Sequence, residues 1–413
     1  MTRPRVVIIG GGFGGIETFH RLHRLMHRRR GVDVTLIDRK NYFLFTPMLH
    51  ELATGSIGRN HVTQPLREMI DCCHERFVRA KAERIDRGRR LVVTDAGNYP
   101  YDYCVIAVGS RASDFGVPGV TEYALPLKTV NDCAAVRNHL VACFEAAARA
   151  RNKTEREQQV HFVIVGGGAT GVELAGQIGD LLRKEMRALY AAIPCDDVRI
   201  TIIESGERVL QRHSEFVGMQ AARKLKQLGV SIIVNTRVTK VEKNRVHLKN
   251  GDHLDACTII WTSGVQSNAD ILLPREDLDE RGRIKVNEYL RMVDDERVFA
   301  LGDCAVIADT GMGVVPQTAQ AAVAEAKSVA RNVRRLVRKK ELVPYRHRLR
   351  GELVPIGNWF GIAELGPLRF TGRVAWLIRR AVFLVTMYSW PDRFRIALDW
   401  FLNAFSFRDT SEL

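Results

Sequence analysis

Two glycine fingerprints, each framed by strand-like runs, predict an α/β chain with two Rossmann-like dinucleotide-binding domains, the second inserted in the first. The first fingerprint is Gly10-x-Gly12-x-x-Gly15, approached from Val6-Val7-Ile8-Ile9. The second is Gly166-x-Gly168-x-x-Gly171, approached from Phe162-Val163-Ile164-Val165. Each is followed by a second strand-like run ending in an acid, Thr35-Leu36-Ile37-Asp38 and Thr201-Ile202-Ile203-Glu204. One such loop is weak evidence; strand, glycines, helix, strand and acid in register, found twice, is strong. Two nucleotide folds in one chain imply two dinucleotides, with electrons passing between them.

Taken in order, the first turn assigns a task to each glycine. Gly10 makes the tight turn, Gly12 admits the pyrophosphate to the backbone, and Gly15 lets helix and strand pack closely. Phe13 and Gly14 complete the loop, and the helix N-terminus points its N–H groups at the phosphates. Asp38 and Glu204 are placed to accept a hydrogen bond from a ribose 2′-hydroxyl, and a carboxylate there repels a 2′-phosphate, so Glu204 favours NADH over NADPH. A strand running through Val105-Ile106-Ala107-Val108 into Gly109-Ser110 closes the first unit, and Thr258-Ile259-Ile260-Trp261 into Gly264 closes the second. Val298-Phe299-Ala300-Leu301 leads into Gly302-Asp303, where an aspartate would bind the ribityl or pyrophosphate part of a flavin or cap the helix that follows. Ala-rich spacing predicts that helix over 319–337. Glu173, in the first turn after Gly171, suits the helix dipole and, beside the nucleotide loop, a catalytic or nicotinamide-orienting role. The expected domains are 1–118 with 290–340, 119–289, and a C-terminal region over 341–413.

Composition narrows the partners. Hydrophobic residues are 46% and charged residues 26% of the 413, so the chain can bury several cores. The net charge of +15 calls for a polyanion, either nucleic acid or an anionic membrane. No nucleic-acid module accompanies it. The tail instead has an Arg-rich stretch over 331–350 and two short aromatic-rich segments. In 393–407, Arg395, Asp399 and Asn403 form one narrow polar stripe among Phe394, Ile396, Leu398, Trp400, Leu402, Phe405 and Phe407. This predicts a C-terminal amphipathic segment that associates with membranes, with a homodimer interface as the alternative use of those helices. The longest apolar run, Ala381 to Trp390, is about half a spanning helix, and no secretory signal precedes the first strand. The eight cysteines include no C-x-x-C or finger spacing and read as reduced, cytosolic-side thiols, Cys304 being a small buried residue. No residue is assigned to a metal.

These motifs resemble the type II, non-proton-pumping NADH dehydrogenases, single-subunit NADH:quinone oxidoreductases of the two-dinucleotide-domain flavoprotein superfamily. The resemblance runs through 7–15, through Asn41-Tyr42-Phe43-Leu44-Phe45-Thr46-Pro47-Met48-Leu49, and through Gly166 to Gly176 with Ala169, Thr170 and Glu173. It continues in Trp261-Thr262-Ser263-Gly264-Val265 and, in the tail, Ile356-Gly357, Gly372, Ala375-Trp376, Arg393 and Trp400. It implies FAD held by Gly10, Gly12, Phe13, Gly14, Gly15, Asp38, Arg39, Thr46, Pro47, Ala82, Gly109, Gly302, Asp303 and Ala319. It implies NADH held by Gly166, Gly168, Ala169, Thr170, Gly171, Glu204 and Gly264, and catalytic roles for Glu173 and Gln320. The family's quinone motif A-Q-x-A-x-Q is departed from: Gln320 is kept and Ala324 replaces the second glutamine. An alanine can neither donate to nor accept from a quinone carbonyl. The expectation is hydride transfer from NADH to FAD, then to a membrane quinone, at the cytoplasmic side of the inner (plasma) membrane. The alternative is a soluble NADH-dependent FAD reductase feeding a non-quinone acceptor.

Overall fold

The computed structural model describes residues 3–26, 31–70, 75–309, 313–348, 351–387, 390–403 and 408. Val6, Val7, Ile8 and Ile9 are at most 3% exposed, as expected of a strand covered on both faces in a parallel sheet. That strand, Arg5–Ile9, pairs in parallel with Asp33–Asp38 on one side and Tyr103–Ile106 on the other. The sheet runs Arg291–Met292, Asp295–Ala300, Tyr103–Ile106, Arg5–Ile9, Asp33–Asp38, Glu75–Arg79, parallel except for its first pair. The second sheet repeats the plan. His161–Val165 lies between Arg199–Ile203 and Thr258–Trp261, with Val230–Ile233 and Leu125–Pro126 outermost, all parallel. In both, the glycine strand is central, flanked by the acid strand and the closing strand.

The described chain divides into two compact units. The first comprises Met1–Leu44, Thr63–Arg111 and Val265–Leu349, the second Phe45–Val62, Ala112–Gly264 and Arg350–Leu413. The first unit therefore resumes at Val265 rather than near 290, and the tail belongs to the second unit. The short helix Leu49–Ala53 also falls there, packed on Val130–Ala148 and Ala169–Leu181. The mixed region following Asp38 contains a three-stranded antiparallel meander, Ala82–Asp86, Leu91–Thr94 and Gly97–Pro100. The second unit has its own, Val238–Glu242, Arg245–Leu248 and His253–Asp255, whose Val238, Val241, Val246 and Leu248 join the core under Trp261. The helix expected over 319–337 is Ala319–Val337.

The tail begins with a third meander, Glu352–Pro355, Gly361–Leu365 and Leu368–Gly372, packed on the helices Ala169–Leu181 and Glu215–Gln227. Helices Arg373–Thr386 and Trp390–Asn403 follow. The apolar run from Ala381 is broken where Met387 turns extended, and Arg393 closes the break by donating to the Val385 and Met387 carbonyls. No helix among the described residues is long and apolar enough to cross a membrane. Phe405 and Phe407 lie outside the described residues, as do the side chains of Asp399 and Asn403.

Candidate functional site

The two nucleotide loops share one construction. Gly10 has φ +107° and Gly166 φ +114°, a left-handed backbone that favours glycine. A Cβ on Gly15 would lie 1.8 Å from the Gly10 carbonyl oxygen, and one on Gly171 1.9 Å from that of Gly166. These two glycines serve internal packing. At Gly12 and Gly168, both exposed, an added Cβ meets nothing within 4 Å, which leaves room for a pyrophosphate to approach the backbone. Helix Phe13–Met26 starts from the first loop and Ala169–Leu181 from the second. Thr129, Ser214 and Thr318 each accept a backbone N–H at the start of their own helices. Gly168, at the start of Ala169–Leu181, supplies no such acceptor. Its first-turn donors are left for an anion, which the dipole also favours. The residues thus fit two phosphate-bearing cofactors.

The acids do more than the motif assigns. Asp38 accepts from the Gly11 N–H at 2.6 Å and the Lys40 N–H at 2.7 Å. Glu204 accepts from Gly167 N–H and Gly206 N–H, each at 2.7 Å, and from the Ser205 hydroxyl at 3.2 Å. Each carboxylate therefore clasps the middle of its own glycine loop. Burial pushes the Asp38 carboxyl up, opposed by the two N–H groups that stabilise its ionised form.

The remaining flavin-assigned residues separate. Arg39 is exposed and Ala82 starts the first meander. Gly109 has φ +63° and accepts the Asn268 N–H. Gly302 donates to Glu325 at 2.6 Å, and burial raises that carboxyl to about 7. Asp303 accepts from the Ser110 hydroxyl at 2.5 Å. It does not cap Ala319–Val337, because Thr318 does so through the Ala321 N–H. Ala319 and Gln320 open that helix, with Gln320 exposed and Ala324 half-buried. All of these are in the first unit. Thr46 and Pro47 instead fall in the second, with Glu173 and the NADH-assigned residues. There Ala169 and Thr170 begin the helix. Gly264 has φ +74° and accepts from the Ser113 N–H, and Phe115 lies where its Cβ would point.

Glu173 is joined by a residue that sequence reasoning missed. His50 Nδ1 stands 3.0 Å from Glu173 Oε2, and His50 Nε2, buried, makes no hydrogen bond among the described residues. The neighbouring Glu51, 1% exposed, holds Arg379 and Arg380, both at 2.9 Å. Burial pushes the Glu51 carboxyl up, but Arg380, then Arg379 and His50, outweigh it and leave it at about 2. Burial lowers Arg380 to about 10, so the pair remains charged at neutral pH. Arg379 also donates to the Pro47 carbonyl at 3.2 Å. The sequence signal was charged pairs set in apolar tracts, His50-Glu51 between leucines and Arg379-Arg380 between Ile378 and Ala381. Beside them Trp359, Trp376 and Trp400 line a small cleft with Ser56, Arg380 and Arg408. Trp359 and Trp376 stack at 4.5 Å, and Arg380 lies 3.9 Å over the Trp400 ring.

Both tail helices leave large apolar side chains exposed. Arg373–Thr386 buries Arg379 and Arg380 and exposes Val374, Leu377 and Val385 by 55–71%. Trp390–Asn403 buries Ile396 and exposes Phe394, Leu398, Phe401 and Leu402 by 46–65%.

Residues 4–326 match the family described as pyridine nucleotide-disulphide oxidoreductase. The type II NADH:quinone oxidoreductase Ndh of Mycobacterium tuberculosis is 30% identical over 98% of this chain and 89% of its own length. That of Haemophilus influenzae is 30% identical over 90% of each. The structure of Plasmodium falciparum NDH2 in complex with NADH has the same fold, with TM-score 0.89, 21% identity, and coverage of 99% of this chain and 100% of that one. Twin nucleotide loops and a likeness that extends through the tail place the chain in the pyridine nucleotide-disulphide oxidoreductase family, among the type II NADH:quinone oxidoreductases.

Proposed function

We propose that this chain is a single-subunit, FAD-dependent NADH:quinone oxidoreductase that transfers electrons without moving protons across a membrane. The observation that carries this reading is the 30% identity to a type II NADH:quinone oxidoreductase along 98% of the chain. When bound, FAD would supply the two-electron redox chemistry between NADH and the quinone.

The chain's own residues bind and orient. The Gly12 loop with Asp38, Gly109, Gly302 and Asp303 holds FAD, and the Gly168 loop with Glu204 holds NADH. The Glu204 carboxylate, fixed by three donors, accepts from a 2′-hydroxyl and repels a 2′-phosphate. Quinone reduction consumes two protons. The His50–Glu173 pair, 3.0 Å apart and largely enclosed, can hold a proton at Nδ1 or at the carboxylate. Gln320 donates to a quinone carbonyl, and Ala324 makes it the one amide of the motif.

The exposed valine, leucine and phenylalanine faces of the two tail helices support a peripheral membrane position, where a lipid-soluble acceptor resides. With net charge +15, an anionic leaflet is favoured, which fits the cytoplasmic face of the inner membrane. The test is steady-state NADH oxidation with a short-chain quinone, with and without anionic vesicles, by the parent and by Glu204→Gln. The parent should turn over with quinone, and the variant should raise the NADPH-to-NADH ratio of kcat/KM about tenfold or more. Turnover with a soluble protein carrier but not with quinone would favour the soluble reductase. Association of the tail helices between two copies in place of vesicle binding would favour the homodimer interface.

A further inference from the structure

Away from the nucleotide loops, three soft ligand atoms converge in the second unit. His139 and Cys143 lie one turn apart on helix Val130–Ala148, and that spacing puts both side chains on one face. Cys257 immediately precedes strand Thr258–Trp261, against which the helix packs. Cys143 Sγ is 3.5 Å from His139 Nε2 and 3.3 Å from the Thr258 hydroxyl. His139 Nε2 is also 3.3 Å from the Cys257 carbonyl oxygen. The imidazole nitrogen and the two sulfurs all lie within 4.8 Å of one another.

We propose that His139, Cys143 and Cys257 form a zinc-binding site, with the Thr258 hydroxyl or a water in the fourth position. Zinc takes imidazole nitrogen at about 2.0–2.1 Å and thiolate sulfur at about 2.3 Å in a tetrahedron. Such bonds set nitrogen and sulfur about 3.5 Å apart and the two sulfurs about 3.8 Å apart. The His139–Cys143 separation already has this value, and the other two sides of the triangle, each within 4.8 Å, would close by about 1.3 Å at most. Thiolate with imidazole selects a thiophilic cation over magnesium or calcium. Ligation puts the remaining imidazole proton on Nδ1 and frees Nε2 from the Cys257 carbonyl.

Burial divides the site suitably. Cys143 is buried, while His139 and Cys257 are half-buried, so an ion has a route in from the surface. Cys257 stands at the N-terminal end of its strand. Dinucleotides bind beyond the carboxyl ends of such strands, so the ion would serve as a structural tie of helix to sheet. Spacing along the chain hides the site, because 114 residues separate Cys143 from Cys257.

The test uses the full-length flavin-loaded protein, reduced and stripped by a chelator. It is titrated with Zn2+ against a chromophoric competitor, and separately with Co2+ as a spectroscopic probe. The expected result is one tight equivalent of Zn2+, a sulfur-to-cobalt charge-transfer band, and a Tm that rises with Zn2+. Cys143→Ser and Cys257→Ser should abolish all three, and His139→Asn should weaken binding at least tenfold. The double variant Cys72→Ser/Cys73→Ser, which removes thiols outside the described residues, should leave them intact. Flavin content reports folding of each variant. Three results would overturn the site: no uptake by the parent, uptake that survives loss of Cys143 and Cys257, or a Cys143–Cys257 disulfide forming where metal was expected.

Discussion

Glu51 holds two buried guanidinium groups at 2.9 Å, and its neighbour His50 touches Glu173. One carboxylate thus fastens the tail helix beside the candidate catalytic acid. Glu51→Gln should destabilise the protein by about 3–5 kcal/mol at neutral pH, since it leaves buried charge without a counter-ion. The sign of the pH dependence follows from the depressed carboxyl. Its folded value is about 2 against an ordinary 4.5, so the stabilisation is fully present above about 4.5 and is lost as pH falls toward 2. Denaturant midpoints of parent and variant should therefore converge below pH 4.5; a gap that stays constant would refute the ion-pair account. Glu173→Gln should lower the quinone-dependent rate about 100-fold or more by removing a proton-holding group. Anaerobic reduction by NADH should be largely spared. Loss confined to the NADH half would assign Glu173 to nicotinamide orientation instead. None of this pairing was legible in the sequence: Arg379 and Glu51 are 328 residues apart, and two charged dipeptides in apolar tracts do not name their partners.

At the scale of elements, the two fingerprints were legible because their glycines answer to steric demands that hold in any chain. The same reasoning separates two substitutions that look alike. Gly15→Ala drives a Cβ to 1.8 Å from the Gly10 carbonyl and should prevent stable folding of the first unit. Gly12→Ala meets nothing within 4 Å, so it should fold normally and lose flavin on gel filtration, because its methyl occupies the cradle. Equal flavin retention by parent and Gly12→Ala would deny the cradle its role. The helix over 319–337 was legible from its alanine spacing, whereas the cap assigned to Asp303 was not its own: Thr318, one residue before the helix, is the nearer acceptor. The meanders were illegible because their strands are only three to five residues long, too short for a period of two to stand out even where Val246 and Leu248 are buried. The tail helices run against the usual pattern: both expose large apolar side chains, and Arg373–Thr386 buries Arg379 and Arg380 while Arg373 and Arg395 stay exposed. Val385→Glu with Phe401→Glu should sharply reduce binding to anionic vesicles, measured by flotation, while NADH reduction of a water-soluble dye is unchanged. Unaltered flotation would remove the apolar faces from the membrane account.

For the whole molecule, the two units repeat one plan: a central glycine strand, an acid strand that clasps the loop, a closing strand and a meander. That repetition made the α/β class and the two-nucleotide reading accessible from sequence. The division of the chain was harder, because 45–62 and 350–413 join the second unit through packing contacts far apart in sequence. Net charge +15 adds a long-range attraction to anionic surfaces, which screening weakens as salt rises above about 0.1 M. Passage of electrons from NADH through a flavin to a quinone within one chain is followed by mixing the anaerobic yellow protein with NADH on anionic vesicles, recording the flavin absorbance, and then adding a short-chain quinone. Rapid bleaching, rapid recovery and repeated turnover are expected, with Gln320 sufficient in the presence of Ala324. Failure of NADH to bleach the flavin, or bleaching that quinone does not reverse, would contradict the account.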